Sequence, residues 1–511
     1  MFISGKVYDS GMREMEPKRF MLQLGRSFET LARVHGTFCG VLVRNNKAWL
    51  FTDRMNTSKL YYCIYNRSLA VSDRMDTIVN MTGIRPEADM SAWADMLMQY
   101  NILGTKCFCK GIHTNRVGEI VEIDLRDFTS RLIGYDPLYG DEKEKRHTVK
   151  KAAKNLVCLL GDSLEALCRN TPKEIVLPLS GGLDSRMLAA IAKKRGVAYR
   201  SVCFESDLGL DEYKMAKQAA DYLGIALDYF ELPDDYYERY LDPVLERIEF
   251  SSPYHTWIYP FLADAVSSGN CGSQVYVYGV GGDNILRLNP AFKTGRDQTA
   301  AQFAEGLEYR VVHYGEFMRE DFEEEITKTF RSDLQQEIDR SFHKPRFAIG
   351  YEFNTRLARN INLFLYMQSY HLHMFNPFYY TPLVDYVISL HEDTLCGDSL
   401  YAEMYNIVDP GLLEFPCTRK YTPGYGLRIK KMNSNVYGKL KEAILDPGFL
   451  GRGIIHEDKM EKYFDSLAEK NSVAQLNKLV PIYMLAKWLD QQKNAYGERA
   501  GLLQTAGRTG S

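Results

Sequence analysis

The stretch Ile175-Val176-Leu177-Pro178-Leu179-Ser180-Gly181-Gly182-Leu183-Asp184-Ser185-Arg186-Met187-Leu188 has the composition of an anion-binding turn. An apolar strand ends in Ser-Gly-Gly and runs directly into a helix. Two adjacent glycines let the backbone approach a ligand and adopt angles that a side chain forbids. The first N–H groups of the helix lack intrahelical partners and face an anion. Ser180 and Ser185 add hydroxyl donors. Asp184 would repel phosphate unless a cation lay between them, so its presence points to Mg2+. A bare Gly-Gly turn would be a plain strand-to-helix junction with Asp184 as a helix-start carboxylate. The full six-residue match behind an apolar strand favours a phosphate loop. The lysine of a Walker loop is missing, which argues against a kinase or a motor ATPase.

Other groups carry less. Gly279-Val280-Gly281-Gly282-Asp283 follows a short apolar strand, but its glycine spacing is not the dinucleotide pattern. His371 and His373 stand at i, i+2 and share no helix face, so they are read as core or surface residues, not metal ligands. Glu323 to Glu325 read as a solvated helix face. His255, with Trp257 and Tyr259, is a candidate for substrate contact. Arg186 could reach a substrate carboxylate or pair at the surface, and both readings stand.

The elements that must position these groups follow from patterning. A chain of 511 residues is too long for one ordinary domain, and two or three are expected. Residues 1–135 read as strand-rich. Phe38–Val43, Ala48–Phe51, Leu60–Tyr65 and Gly118–Leu125 are separated by turn residues such as Asn45-Asn46 and Asn66-Arg67, which predicts antiparallel hairpins. The charged run Asp141 to Lys151 predicts a linker. Beyond it come a helix over 148–170, strand Glu174–Leu179, helix Gly181–Lys194, strand Tyr199–Glu205, helix Asp211–Leu223 and strand Leu227–Leu232. A further strand covers Gln274–Gly279. This alternation predicts a parallel sheet covered by helices. The chain past residue 300 reads as mainly helical, and 501–511 as a loose tail.

Lys plus Arg is 63 and Asp plus Glu is 66, for a net charge of −3, which gives no reason to expect nucleic acid or a membrane. No window is apolar enough to span a bilayer, and the first residues do not read as a signal peptide. The ten scattered cysteines read as free thiols of a cytoplasmic protein.

The string Ser180-Gly181-Gly182-Leu183-Asp184-Ser185 resembles the pyrophosphate loop of the asparagine synthetase family, which includes β-lactam synthetases, carbapenam synthetase and lasso-peptide cyclases. Tyr276 to Leu286 resembles its second loop. Asn376-Pro377-Phe378 with Pro382-Leu383-Val384-Asp385 resembles its Pro-Phe-Leu-Asp segment, and Arg419-Lys420 its late basic segment. Gly36 to Gly40, Asp53-Arg54 and Leu60-Tyr61-Tyr62 are similar to its N-terminal region. The resemblance implies an α/β architecture. Residues 1–145 would be an antiparallel, β-rich, Ntn-hydrolase-like domain, a degenerate glutaminase. Residues 146–500 would be an ATP-pyrophosphatase (PP-loop) domain of the adenine-nucleotide α-hydrolase type, with a parallel sheet and many helices.

Residue by residue, the resemblance implies that Asp184 and Asp283 hold Mg2+ on the pyrophosphate of ATP, while Ser180, Gly181, Gly182 and Ser185 cradle it. Leu179 and the strand Val202-Cys203-Phe204 would line the adenine pocket, Gly279 would lie against the nucleotide, and Lys420 would neutralise charge as the acyl-adenylate forms. The expected activity is AMP- and pyrophosphate-forming amide-bond synthesis, from a small-molecule or peptide carboxylate and ammonia or a substrate amine. A homodimer is left open.

Two departures qualify this. Position 2 is Phe where glutamine-using members have the nucleophilic cysteine, and the first cysteine, Cys39, lies in a strand, so no glutaminase is expected. Val280 stands where asparagine synthetases have Glu and β-lactam synthetases Tyr. A general base must then come from elsewhere, with Glu205, His255 and Tyr278 as candidates. The alternatives are an asparagine synthase proper, a lasso-peptide macrolactam cyclase, an AMP-forming enzyme acting on RNA or transferring sulfur, and a nucleotide-binding relative without activity.

Overall fold

The computed structural model describes residues 2–136, 138, 145–204, 212–231, 233–253, 271–288, 299–307, 311–340, 342, 346–369, 371–418, 434–470 and 473–496. The candidate bases Glu205 and His255 lie outside them. So do Trp257, Tyr259, Arg419, Lys420 and the tail 501–511.

Eight strands precede residue 135: β1 (Phe2–Tyr8), β2 (His35–Arg44), β3 (Lys47–Thr52), β4 (Tyr61–Tyr65), β5 (Ser68–Ser72), β6 (Ile112–Thr114), β7 (Glu119–Asp124) and β8 (Ser130–Gly134). They form two antiparallel sheets, ordered β1-β2-β3-β7-β8 and β5-β4-β6. The expected hairpins are present for a local reason. Asn45 and Asn46 have φ of 51° and 57°, and Asn66 and Arg67 have 49° and 55°. Two consecutive left-handed residues match the twist of the flanking strands, and Asn tolerates that conformation better than most residues. The sequence reading missed β1 and the helices α1 (Pro17–Leu24), α2 (Met75–Thr82) and α3 (Met90–Gln99).

The charged run before residue 151 is less of a linker than expected. The amide of Lys145 donates to Ser389 O, and the amide of His391 donates to Lys145 O. Thr148 caps α4 (Val149–Asn170) by accepting from the Lys151 amide, so the last residues of the run are already helical.

Five parallel strands then make the second half: β9 (Glu174–Pro178), β10 (Arg200–Phe204), β11 (Leu227–Phe230), β12 (Gln274–Val277) and β13 (Met374–Phe375), ordered β11-β10-β9-β12-β13. The helices α5 (Leu183–Lys194), α6 (Glu212–Leu223) and α7 (Tyr236–Arg247) intervene. The chain moves outward from β9 in one direction and then restarts on its other side with β12. Ligands of such sheets bind at this switch, beyond the carboxyl ends of the strands.

The two halves are joined by polar side chains in a buried seam. Residues Phe353–Ile361 form a π-helical segment. Around it, Asn354 Oδ1 accepts from the Val117 amide at 3.0 Å, Arg359 Nε donates to Ile102 O at 3.2 Å, and Asn362 Nδ2 donates to Met55 O at 2.6 Å. In return, Lys59 Nζ donates to Ala358 O at 2.6 Å. Arg54 bonds Asp136 at 2.5 Å and Asp385 at 2.6 Å. The two stretches with family resemblance, around Asp53-Arg54 and around Asp385, thus meet in one ion cluster. Arg54 and Asp136 are 4% and 2% exposed, and Asp385 is half exposed.

Removing one partner of a buried pair strands the other charge. Arg54→Ala should therefore destabilise the protein by about 3–5 kcal/mol. Arg33→Ala, at an exposed pair with Glu29, should leave stability close to wild type. Denaturant unfolding of the two variants checks both.

Glu249 gives a second test. It is buried, its carboxyl accepts from the amides of Met75 at 2.5 Å and Asp76 at 3.2 Å at the start of α2, and burial pushes its pKa from 4.5 up to about 8. A raised carboxyl pKa contributes stability below the unfolded value, and that stability is lost as pH rises through the folded one. Glu249→Gln should therefore gain on wild type between pH 4.5 and about 8, with no further change above it, in unfolding measured across pH.

Candidate functional site

Strand β9 is buried at Ile175, Val176 and Leu177, as a central strand must be. It ends at Pro178, and the Leu179 amide donates to Val202 O at 2.8 Å, the last rung before the chain turns. Leu179 is itself buried beneath the turn. The turn holds its donors inward. The Ser180 amide donates to Ser185 Oγ at 3.0 Å, the Gly182 amide to Ser180 Oγ at 3.1 Å, and the two hydroxyls lie 3.0 Å apart. Helix α5 starts one residue later with Asp184 in its first turn. All six residues of the expected loop lie together at the carboxyl end of β9.

The second loop follows β12, the neighbour of β9. Gly281 begins a one-turn helix, Gly282–Leu286, with φ of 78°, a left-handed conformation that suits glycine. A Cβ there would also meet the Tyr379 hydroxyl at 2.8 Å. At Gly282 a Cβ would meet the Asp184 carboxyl carbon at 2.9 Å, and at Gly279 the Asp184 Cβ at 3.1 Å. The two loops therefore touch through Asp184. Asn376 fixes the second loop from β13. Its Nδ2 donates to Val280 O at 2.7 Å, and its Oδ1 accepts from the Phe378 amide at 3.1 Å. Asn376 and Phe378, noted from sequence, thus shape the second loop.

Two tyrosines complete the site, and neither was picked out from sequence. On the helix Ser399–Val408, Tyr401 and Tyr405 are four residues apart and share a face. Tyr401 Oη donates to Asp184 Oδ1 at 2.5 Å, and Tyr405 Oη donates to Leu183 O at 2.6 Å. Burial first, then the charges of Asp184 and Asp283, hold the Tyr401 phenol far above its usual pKa, so it stays a donor. Asp283 directly follows Gly282, which lies against the Asp184 carboxyl, so the two acidic residues belong to touching loops. Two hard oxygen donors beside a glycine turn fit Mg2+, which takes few protein carboxylates and completes its shell with other oxygen ligands such as water. The i, i+4 tyrosine pair was visible in the sequence, but such spacing more often marks core packing.

Two expectations change. Arg186 reaches neither substrate nor surface. It is fully buried and donates to Leu412 O at 3.0 Å, Phe415 O at 3.4 Å and Pro416 O at 2.8 Å. It therefore holds the segment leading to Thr418, whose amide donates to Gly181 O at 3.0 Å. Lys420 is two residues further on, outside the described residues. Tyr278 is a poor base. Its hydroxyl is buried among Tyr276, Phe364 and their neighbours, and burial holds its pKa far above the usual value. Phe204, expected against adenine, ends β10 half buried, with its ring stacked on Phe230 at 5.4 Å between centroids.

Because Gly282 leaves no room beside Asp184, Gly282→Ala should displace that carboxylate. ATP affinity should fall at least tenfold, with a drop in melting temperature of a few degrees from the overpacking, and titration with a fluorescent ATP analogue beside a thermal melt checks it.

The comparisons agree with this geometry. No curated protein matches the chain. Residues 159–380 match the profile of the asparagine synthase family. The matched span contains the phosphate loop, the second loop and the Asn376–Phe378 turn. Residues 159–380 are therefore an asparagine synthase domain, which supports an assignment to the asparagine synthetase family.

Proposed function

We propose that the protein is an ATP-dependent carbon–nitrogen ligase that forms AMP and pyrophosphate while joining a carboxylate to ammonia or to an amine on its substrate. The observation that carries this reading is the contact of the two glycine loops through Asp184, with Asp283 beside them. A substrate carboxylate oxygen would attack the α-phosphorus of ATP, and pyrophosphate would leave into the cradle of Ser180, Gly181, Gly182 and Ser185. The amine nitrogen would then attack the acyl carbon and displace AMP. Splitting one hard substitution into two easier ones is the purpose of the adenylate. Mg2+, held by Asp184 and Asp283, would neutralise the pyrophosphate. Tyr401 would keep the Asp184 carboxylate oriented. Lys420, delivered by the segment that Arg186 holds, would offset charge at the α-phosphate, an effect of a few kcal/mol, on the order of one oxyanion donor.

The nitrogen source is proposed to be free ammonia, a partner, or the substrate itself. Cys39, the first cysteine, lies in β2 and is buried, and burial pushes its thiol up to about 12, which leaves it no thiolate at neutral pH. The antiparallel region, expected as residues 1–145, would then be a structural remnant of a glutaminase. With Val280 in the second loop and Tyr278 buried, neither of these positions supplies a base, and an amine that arrives deprotonated suits such a site. No described helix is long and apolar enough to cross a membrane. A cytoplasmic location, with a homodimer as assembly, belongs to the same proposal.

Purified protein incubated with ATP, Mg2+, ammonium and a panel of carboxylic acids should release AMP and pyrophosphate in an acid-dependent way, read by nucleotide chromatography. Asp184→Ala should lower this at least a hundredfold, and ADP as product would overturn the assignment.

A further inference from the structure

A cavity of about 560 Å3 lies between β1, β2 and the amino ends of the parallel strands. That volume suits a small molecule. Lys173 immediately precedes β9, and His373 immediately precedes β13, so the cavity opens at the sheet edge opposite the two glycine loops. Along β9 the separation from the phosphate loop is roughly 20 Å, at the usual rise per strand residue.

The lining is built from donors. Lys6, Lys59 and Lys173 face it, with Asp73 as the single carboxylate. Lys59 is 3% exposed, burial and then Arg359 push its amine down to about 7, and it has one hydrogen-bond acceptor, Ala358 O, so a bound anion would favour its charged form. Lys6 also pairs loosely with Glu14 at 3.4 Å, both side chains being about half exposed. Tyr8 Oη bonds His373 Nε2. Burial, then Glu14, raises the Tyr8 phenol well above its usual value, so it is the donor and Nε2 the acceptor. The neutral ring then carries its hydrogen on Nδ1, and Nδ1 is buried with no hydrogen-bond partner. Burial, then Lys6 and Lys173, pushes His373 down to about 4, so the ring is neutral at physiological pH. A buried amine short of acceptors, an unpartnered N–H and two ammonium groups all suit an acceptor that carries negative charge.

We propose that this cavity binds a small anionic metabolite bearing a carboxylate or phosphate group, held by Lys6, Lys59, Lys173 and His373. The site is separate from the nucleotide loops and stands whether or not the chain is a ligase.

Calorimetric titration of the full-length protein with succinate and with inorganic phosphate tests this, with and without a non-hydrolysable ATP analogue. Saturable binding of one or both anions should persist when the analogue is present. It should weaken at least tenfold in Lys6→Gln/Lys173→Gln, a double change outside the buried core. Lys59→Met should abolish it, with folding checked by circular dichroism. Binding of succinate alone would assign a carboxylate, and of phosphate alone a phosphate ester. The proposal falls if neither anion binds, if the analogue displaces them, or if the double variant binds as wild type does.

Discussion

Asp184 lies against Gly279 and Gly282, and the rest of the site depends on that contact. Strands β9 and β12 are neighbours in the sheet although about a hundred residues separate them in sequence. Their following loops can meet only where one side has no Cβ, because a methyl at either glycine would sit within 3.1 Å of Asp184. The carboxylate is then caught between a backbone that cannot retreat and a phenol, Tyr401, that holds one of its oxygens. The acid is thereby fixed before any ligand arrives, which is the general requirement for electrostatic preorganisation.

Around that contact the structure is organised by buried polar groups as much as by apolar ones. Arg186 spends its guanidinium on three backbone carbonyls and so turns a stretch with little regular structure into a fixed strap behind the phosphate loop. The π-helical segment does the same on the other side. Leu357 touches the space beside Gly281, while Asn354, Arg359 and Asn362 satisfy backbone groups of the antiparallel half. A π-helical stretch at a functional site is a recurrent arrangement. Here it stands between the second loop and the seam joining both halves.

Most of the parallel half was legible in the sequence because short apolar strands alternate with helical periodicity: the ends of β9, β10, β11 and β12 fall within two residues of those expected, while the two-residue β13 was not expected. The hairpins were legible through Asn-Asn and Asn-Arg at their turns. β1 was not, because Phe2-Ile3-Ser4-Gly5-Lys6-Val7-Tyr8 has no clean alternation and is recognised only by pairing with β2. The loops at 180–185 and 279–283 could be read because glycine and aspartate there answer to backbone geometry. Arg186, Tyr401 and Tyr405 could not, since their partners are more than two hundred residues away in sequence. A charged side chain beside a ligand loop looks the same in sequence whether it faces the ligand or supports the scaffold.

The hydroxyls of Ser180 and Ser185 bond to each other and take up the amides of Ser180 and Gly182. These four groups are already paired before an anion arrives. Binding is therefore an exchange of one set of hydrogen bonds for another, and its free energy is the difference between them. A ligand with a single weak acceptor has little to offer in that exchange. A polyphosphate presents several charged oxygens at once and can replace every internal bond it breaks. The resting turn thereby selects for the number and strength of acceptors its occupant brings, before shape or base recognition comes into play.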